Sequence, residues 1–337
     1  DESSIEKITD KYGRTKYKIP NPHIADLVNT ILKMAKKRAF IDAVLQVASL
    51  SDVFTQDLED IKDFNPKHIF ECGQCFRWIK EDDESYTGVA KGRVINVSKQ
   101  GDKVFLKNTN LDDFNNIWFE YFDLGTDYGK IKDILRNMDE HLEKATEFGE
   151  GIRILKQDGW EMLISFIISS NNRIPMIQKA INNLSREFGT YIGEYNGKEY
   201  YAFPTPEQLS KASQEQIRAC QTGFRDKYIK STTDSVILNN KNISEYTKLN
   251  TEECLKELLK FNGVGPKVGD CIALFGMQKY DTFPVDVWVK RVMQEFYVEE
   301  DLSLPKIRAY AIDKFKELSG FAQQYLFYYA RELGIGR

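Results

Sequence analysis

The sequence predicts an α+β protein in which an antiparallel β-sheet domain precedes an orthogonal domain of many short helices. Two observations lead to this fold class. Between about residues 60 and 125, short β-rich runs at 94–97 and 104–106 flank the turn sequence KQGD. After Gly151 the apolar residues recur at helical spacing nearly to the C-terminus, and glycine or proline separates successive helices.

The chain of 337 residues exceeds one typical domain, and we divide it into three segments. Residues 1–52 form an N-terminal extension of unknown role, which we expect to be helical because apolar residues between Ile24 and Met34 follow helical spacing. Residues 53–150 form the β-sheet domain. Residues 151–337 form the helical domain, whose helices are too short and numerous for a four-helix bundle.

Composition bounds the partners and the compartment. The net charge of −4 and pI near 5.7 give no global attraction to polyanions, so nucleic acid would have to be bound by local donors. No apolar run reaches membrane-spanning length. Five cysteines make no even disulfide set and no cleavable leader opens the chain, so we expect a reducing cytoplasm.

Cys72 and Cys75 have the spacing of half a zinc site, but no second pair accompanies them, and we expect neither metal nor cofactor.

The segment LLKFNGVGPKVGDCIALF reads as a helix, a glycine-rich turn and a second helix. Gly263 and Gly265 would let a phosphate approach backbone N–H groups at the start of the second helix, where Pro266 loses no hydrogen bond. An ordinary helical hairpin without a ligand has the same pattern.

Lys267 and Cys271 share a face of that second helix, and Asp286 follows in a PVD context. We expect the helix N-terminus and partial burial to lower the pKa of Lys267 and so make its amine nucleophilic. A carboxylate nearby opposes part of that change, so Asp286 is better assigned to a cationic transition state or to proton handling. A surface lysine and a helix-capping aspartate remain the alternative interpretation.

Together these residues resemble the helix-hairpin-helix glycosylase superfamily, and specifically the 8-oxoguanine DNA glycosylases of bacterial type. The resemblance runs from about residue 60 to the C-terminus. It rests on six motifs in order: GQCFRW (73–78), ISSNN (168–172), GFRDKY (223–228), GVGPKVGDCIALF (263–275), PVDVW (284–288) and AQQYLFYYAR (322–331).

The resemblance implies a bifunctional DNA glycosylase and lyase of base-excision repair. Lys267 would attack C1′ of the damaged nucleotide and Asp286 would stabilise the sugar cation. The flipped base would lie between Cys271 and Phe327, with Gln323 at its Watson–Crick edge. The Gly73 carbonyl would accept a hydrogen bond from N7–H, which 8-oxoguanine has and guanine lacks.

The resemblance also implies contacts outside this pocket. Asn171 and Arg225 would read the estranged cytosine, and Phe224 would enter the duplex as a wedge. Met176 stands where animal members carry a second cytosine-reading arginine, which leaves the preference for cytosine open. Trp288 replaces a phosphate-contacting histidine, and its indole N–H would serve one phosphate oxygen.

Three alternatives remain. The chain could remove oxidised pyrimidines or alkylated purines, although it lacks the C-terminal cysteine cluster of pyrimidine enzymes, and alkylpurine enzymes lack the lysine. It could also bind DNA through the hairpin without catalysis, which would leave Lys267 and Gln323 without roles. For the glycosylase we expect a monomer that acts on double-stranded DNA containing 8-oxoguanine, in the bacterial cytoplasm at the nucleoid.

Overall fold

The computed structural model describes residues 63–335 in full, together with the backbone of 6–9, 15–18 and 53–56. The chain divides into two units, Asp1–Ser51 and Asp52–Arg337. In the first unit, strands β1 (Glu6–Thr9) and β2 (Thr15–Lys18) pair antiparallel. The expectation of a helical extension is therefore wrong for these eight positions, where threonine, isoleucine and tyrosine favour extended backbone. The helix predicted between residues 24 and 34 lies outside the described residues.

The second unit begins with a five-stranded antiparallel sheet, in agreement with the prediction. Its strand order is β3-β7-β6-β5-β4. The predicted hairpin is confirmed: Gln100 pairs with Lys103 across a two-residue turn in which Gly101 has a φ of +59°. The strands are β3 (Val53–Gln56), β4 (Trp78–Lys80), β5 (Tyr86–Ala90), β6 (Arg93–Gln100) and β7 (Lys103–Lys107).

Helices before residue 150 cover this sheet. Phe70 at the end of the first helix stacks on Trp78 with ring centroids 3.8 Å apart, and Trp78 donates a hydrogen bond to the Tyr121 hydroxyl. A π-helical turn, Phe114–Trp118, joins two of the short helices. The helices are α1 (Pro66–Phe70), α2 (Leu111–Asp113), α3 (Phe119–Tyr121), α4 (Tyr128–Arg136) and α5 (Glu140–Phe148).

The remainder is helical, as predicted, with one addition. Strands β8 (Tyr191–Tyr195) and β9 (Lys198–Tyr201) form a hairpin whose turn residues Asn196 and Gly197 both have positive φ. Asn-Gly is a strong hairpin signal that the helical interpretation overlooked. The helices are α6 (Gly159–Ser169), α7 (Ile174–Phe188), α8 (Pro206–Ser210), α9 (Gln214–Ile217), α10 (Asp226–Leu238), α11 (Thr251–Leu258), α12 (Pro266–Met277), α13 (Val287–Phe296), α14 (Leu304–Phe315) and α15 (Ser319–Leu333).

Helix α12 lies at the centre of the helical core. It approaches α6 so closely that a Cβ on Gly276 would lie 2.9 Å from Met162 Cβ. It approaches α15 in the same way, because a Cβ on Gly320 would lie 2.4 Å from Leu274 Cδ1. These contacts fix where the first turn of α12 stands relative to both neighbours.

Helix α15 also contacts the segment before residue 150. Phe148 of α5 packs on the ring of Tyr328, and Tyr128 of α4 meets Phe321 edge to face. The boundary at residues 150/151 lies inside the single unit that contains both parts, and it stays a prediction. No helix among the described residues is both long and apolar enough to span a membrane.

Candidate active site

The turn between α11 and α12 needs glycine at two positions for different reasons. Gly263 has a φ of +86°, and a Cβ there would lie 2.9 Å from the Tyr228 ring. Gly265 has a φ of −93°, and its Cβ would meet no atom within 4 Å. Gly263 is therefore required by the protein, whereas Gly265 leaves the start of α12 open to a ligand. Pro266 follows as the first helical residue.

Lys267 lies in the first turn of α12, largely buried, with its Nζ 6.0 Å from the centre of the Phe166 ring. The prediction that its pKa is lowered is wrong. The sulfur of Cys271 raises the pKa of Lys267, burial opposes this, and the Asp286 carboxylate raises it further. The Cys271 sulfur carries negative charge only in the alkaline range where the lysine itself titrates, so at neutral pH the resting side chain is an ammonium.

Cys271 stands one turn along α12 and is 4% exposed. Burial raises the pKa of its thiol to about 11, against the opposing effect of Lys267. At neutral pH it is a thiol, so Asp286 is the standing negative charge that acts on the lysine. The two halves of the predicted pair therefore interact electrostatically in the folded chain.

Asp286 immediately precedes α13 and caps it. Its Oδ1 accepts a hydrogen bond of 2.8 Å from the backbone N–H of Val289. The sequence left a capping role and a catalytic role as alternatives. The structure gives Asp286 the cap and also its electrostatic effect on Lys267.

Gln323 and Phe327 stand one turn apart on α15 and so share a face. Gln323 is 6% exposed, and its Oε1 is buried without a hydrogen-bond partner in the described part of the chain. A buried unpaired acceptor is unfavourable unless a ligand completes it. Gly73, with a φ of +83°, faces the same ring: a Cβ there would lie 3.2 Å from Phe327 Cε1.

The ring of Phe166 connects the two groups of residues. It lies near Lys267 on one side, stacks on Phe275 of α12 at 5.7 Å, and meets Phe76 edge to face at 5.4 Å. Phe76 belongs to the segment that carries Gly73. Phe166 therefore links Lys267 to the segment that carries Gly73, and Gly73 in turn faces Phe327 on the helix that carries Gln323.

The residues predicted to read the opposite strand form a second group, which we call the opposite-strand surface. Asn171 is exposed with a φ of +51°, and Phe224 and Met176 are 52% and 42% exposed. Arg225 is buried: Nε and one terminal nitrogen donate to the Ser170 carbonyl, and that terminal nitrogen also donates to Asn171 O at 2.8 Å. Its guanidinium lies 4.4 Å from the Phe224 ring.

Trp288 is partly buried in the first turn of α13, and its indole Nε1 is buried without a hydrogen-bond partner among the described residues. In this state the N–H does not reach solvent. Contact with a phosphate, as the sequence suggested, would require the side chain to rotate.

The half zinc site does not form. Cys72 and Cys75 donate to backbone carbonyls of Ile69 and Phe70, and all five cysteines are free and buried. Residues 63–335 contain no cluster of three or more metal-ligating side chains.

Sequence reasoning missed the side chains that hold the Gly73 segment. Gln74 is fully buried and bonded to Arg153 O and to the N–H of Leu155, and Gln324 donates to Cys72 O. Two adjacent glutamines in a helix that is otherwise aromatic and aliphatic were the available signal.

Two family models match the chain consecutively. The model for the N-terminal domain of 8-oxoguanine DNA glycosylase matches residues 58–163. The model for the HhH-GPD superfamily of base excision DNA repair proteins matches residues 164–317.

Individual relatives match over most of their length. The N-glycosylase/DNA lyase OGG1 of Arabidopsis thaliana is 30% identical over 77% of this chain and 75% of the relative. The N-glycosylase/DNA lyase of Saccharomyces cerevisiae is 32% identical over 68% of this chain and 67% of the relative.

The crystal structure of Clostridium acetobutylicum 8-oxoguanine glycosylase/lyase, in complex with double-stranded DNA containing cytosine opposite 8-oxoguanine, is also similar. It is 50% identical, with a TM-score of 0.80 over 84% of this chain and 99% of that one. The chain belongs to the 8-oxoguanine DNA glycosylases of the helix-hairpin-helix superfamily.

Proposed function

We propose that this base-excision repair enzyme flips 8-oxoguanine out of duplex DNA, cleaves its N-glycosidic bond with Lys267 as nucleophile, and nicks the abasic strand. The relatives named N-glycosylase/DNA lyase support both activities. The observation that carries the assignment is the interaction of Lys267 with Cys271 and Asp286, together with the buried, unpaired Oε1 of Gln323.

Chemistry begins with proton loss from Lys267. Because its pKa is raised, the ammonium must give up a proton before Nζ can attack C1′. The bond from C1′ to the base breaks as Nζ bonds to C1′, and the base leaves with the bonding electrons and takes up a proton. Asp286 stabilises the positive charge that develops on the sugar. The resulting amine adduct opens to a Schiff base, and β-elimination expels the 3′ phosphate.

Base recognition falls to a second group of residues. The ring of Phe327 and the thiol of Cys271 bracket the base, and Gln323 Oε1 supplies an acceptor for an N–H on its Watson–Crick edge. The Gly73 carbonyl accepts from N7–H of 8-oxoguanine. Guanine would bring an N7 lone pair against that carbonyl, which leaves a buried acceptor unpaired and costs about 1–3 kcal/mol.

The glycine turn binds the DNA backbone irrespective of sequence. The open face of Gly265 and the start of α12 receive a phosphate, and Gly263 holds the turn. Phe224 enters the stack, Asn171 and Arg225 meet the estranged cytosine, and Trp288 serves a phosphate after rotation of its indole.

The test is release of free base from duplexes that carry 8-oxoguanine, thymine glycol or an alkylated purine, each followed by borohydride trapping. We expect release of 8-oxoguanine and a covalent adduct at Lys267. Release of either other base in preference to 8-oxoguanine would reassign the substrate. Duplex binding with no release and no adduct would leave a non-catalytic DNA-binding module.

Two further properties belong to the proposal. Five free cysteines suit a reducing compartment, and duplex DNA is the substrate, so we place the enzyme in the bacterial cytoplasm at the nucleoid. A single chain carries every residue that the mechanism uses, which is why we propose a monomer.

A further inference from the structure

A backbone carbonyl can reject guanine only if it cannot turn away from the N7 lone pair. Rotation of a peptide unit would relieve that repulsion and remove the discrimination. If Gly73 acts as proposed above, the residues that hold its peptide unit determine how well the enzyme separates 8-oxoguanine from guanine.

The carbonyls on both sides of Gly73 are held by side chains from distant parts of the chain. Gln324 Nε2 donates to Cys72 O at 2.6 Å, and Gln157 Nε2 donates to Gln74 O at 2.8 Å. Arg331 donates to the Glu71 carbonyl. No described residue donates to the carbonyl of Gly73 itself. Of the four carbonyls from Glu71 to Gln74, this one therefore remains available to a bound base.

The side chain of Gln74 also fixes the segment that carries Gly73. This side chain is fully buried, donates to Arg153 O at 2.7 Å and accepts from the N–H of Leu155 at 2.8 Å. Buried hydrogen bonds of this kind keep a turn in one conformation, because releasing either partner leaves an unpaired polar group. The left-handed φ of Gly73 is therefore maintained by its surroundings.

We propose that Gln324 is a positioning residue that fixes the Cys72–Gly73 peptide unit, which directly precedes the unit carrying the Gly73 carbonyl, and thereby sets discrimination between 8-oxoguanine and guanine. Gln324 is 1% exposed and follows Gln323 directly on α15. Successive helical residues point about 100° apart. Gln323 therefore faces the base and Gln324 faces the backbone that carries Gly73, so one helix supplies both contacts.

The experiment uses Gln324→Met, which keeps the length of the side chain and removes its donor. Binding of duplexes with 8-oxoguanine or guanine opposite cytosine is measured in a Lys267→Gln background, so that no base is released. We expect the binding ratio between the two duplexes to fall by about tenfold or more. A ratio within twofold of the Lys267→Gln parent would overturn the proposal.

A second readout separates positioning from general damage. Strand cleavage at a preformed abasic site needs Lys267 but no bound nucleobase. Gln324→Met with native Lys267 should therefore cleave such a site at a rate within twofold of that of the unmodified enzyme. Thr233→Val is the matched control: it removes a buried hydrogen bond of 2.8 Å to Ile229 O on α10. It should change neither the binding ratio nor lyase activity.

If Gln324→Met does not fold, as judged by circular dichroism, Gln157→Met releases the Gln74 carbonyl from the other side of Gly73. We expect Gln157→Met also to lower the binding ratio between the 8-oxoguanine and guanine duplexes, and an unchanged ratio would again contradict the proposal. Failure of the unmodified enzyme to release 8-oxoguanine would instead contradict the proposed function, which makes the two failures distinguishable.

Discussion

The lesion pocket and the opposite-strand surface differ in how ready they are for DNA. In the pocket, Gln323 and Cys271 are 6% and 4% exposed, and the Gly73 segment is held on both sides. On the opposite-strand surface, Phe224 and Met176 are 52% and 42% exposed. The first group of side chains is enclosed by the fold, whereas Phe224 and Met176 are open to solvent.

The lesion pocket and the opposite-strand surface also differ in how far their polar groups are already hydrogen-bonded. Gln323 Oε1 is buried without a partner among the described residues, so a base that donates to it completes a bond at no loss. Arg225 already donates four hydrogen bonds to the Ser170, Asn171 and Thr222 carbonyls, which leaves one of its five N–H groups for cytosine. We therefore expect strict selection of the lesion and weaker selection of the base opposite.

Lys267→Gln should have the largest effect, because it removes the nucleophile while the glycine turn and the pocket stay. Single-turnover base release should fall on the order of 10³-fold or more, and borohydride trapping should disappear. Binding to a duplex containing 8-oxoguanine should remain, as measured by fluorescence anisotropy. Near-normal cleavage by this variant would remove Lys267 from the mechanism.

Asp286→Asn separates the two roles of Asp286. Asparagine caps helices as well as aspartate, so the melting temperature should change little. The neutral side chain no longer raises the pKa of Lys267, which increases the fraction of neutral amine. Base release should nevertheless slow by roughly 10²-fold, because the charge acts on the sugar cation. An unchanged or faster rate would mean that capping is the function of Asp286.

Met176→Arg changes the opposite-strand surface, where Met176 is exposed in the first turn of α7. A charged donor to a base edge is worth about 1–3 kcal/mol, or about 5- to 150-fold in discrimination. We expect the rates at which the native enzyme excises 8-oxoguanine opposite adenine and opposite cytosine to be closer than in a relative with arginine at this position, and the variant to widen the gap by slowing excision opposite adenine.

The measurement for Met176 is single-turnover excision from duplexes that differ only in the opposite base. A native preference for cytosine of a thousandfold or more, or a variant whose preference does not move, would exclude Met176 as the determinant.

Gly265→Ala should have the smallest effect. Its backbone suits alanine and its Cβ meets no protein atom, so stability should be unchanged while duplex binding weakens by about 3- to 10-fold, whichever base is present. Gly263→Ala is the contrast, because positive φ and the Tyr228 ring should lower the free energy of unfolding by about 1–3 kcal/mol. Unchanged binding by Gly265→Ala would place the phosphate elsewhere.

The sequence by itself determined the parts that depend on local pattern. Short β-rich runs on either side of the KQGD turn predicted the hairpin, and helical spacing with glycine and proline predicted the short helices. The glycine turn with Lys267, and Asp286 in its PVD context, identified the chemistry through motifs whose spacing is fixed along the chain. The Asn-Gly hairpin at residues 196–197 was equally readable and was overlooked.

Only the tertiary structure decided the direction of the Lys267 pKa and the partners of Gln324. The sequence contains the helix end and the apolar surroundings that lower a lysine pKa. Cys271 is near because it lies one turn along the same helix, but how near Asp286 comes and how far the site is buried depend on packing, and the two neighbours together outweigh burial in the direction of the pKa. Gln324 binds a carbonyl 252 residues earlier in the chain. Electrostatic and hydrogen-bond energies depend on distances in space, and no spacing along the chain specifies those distances.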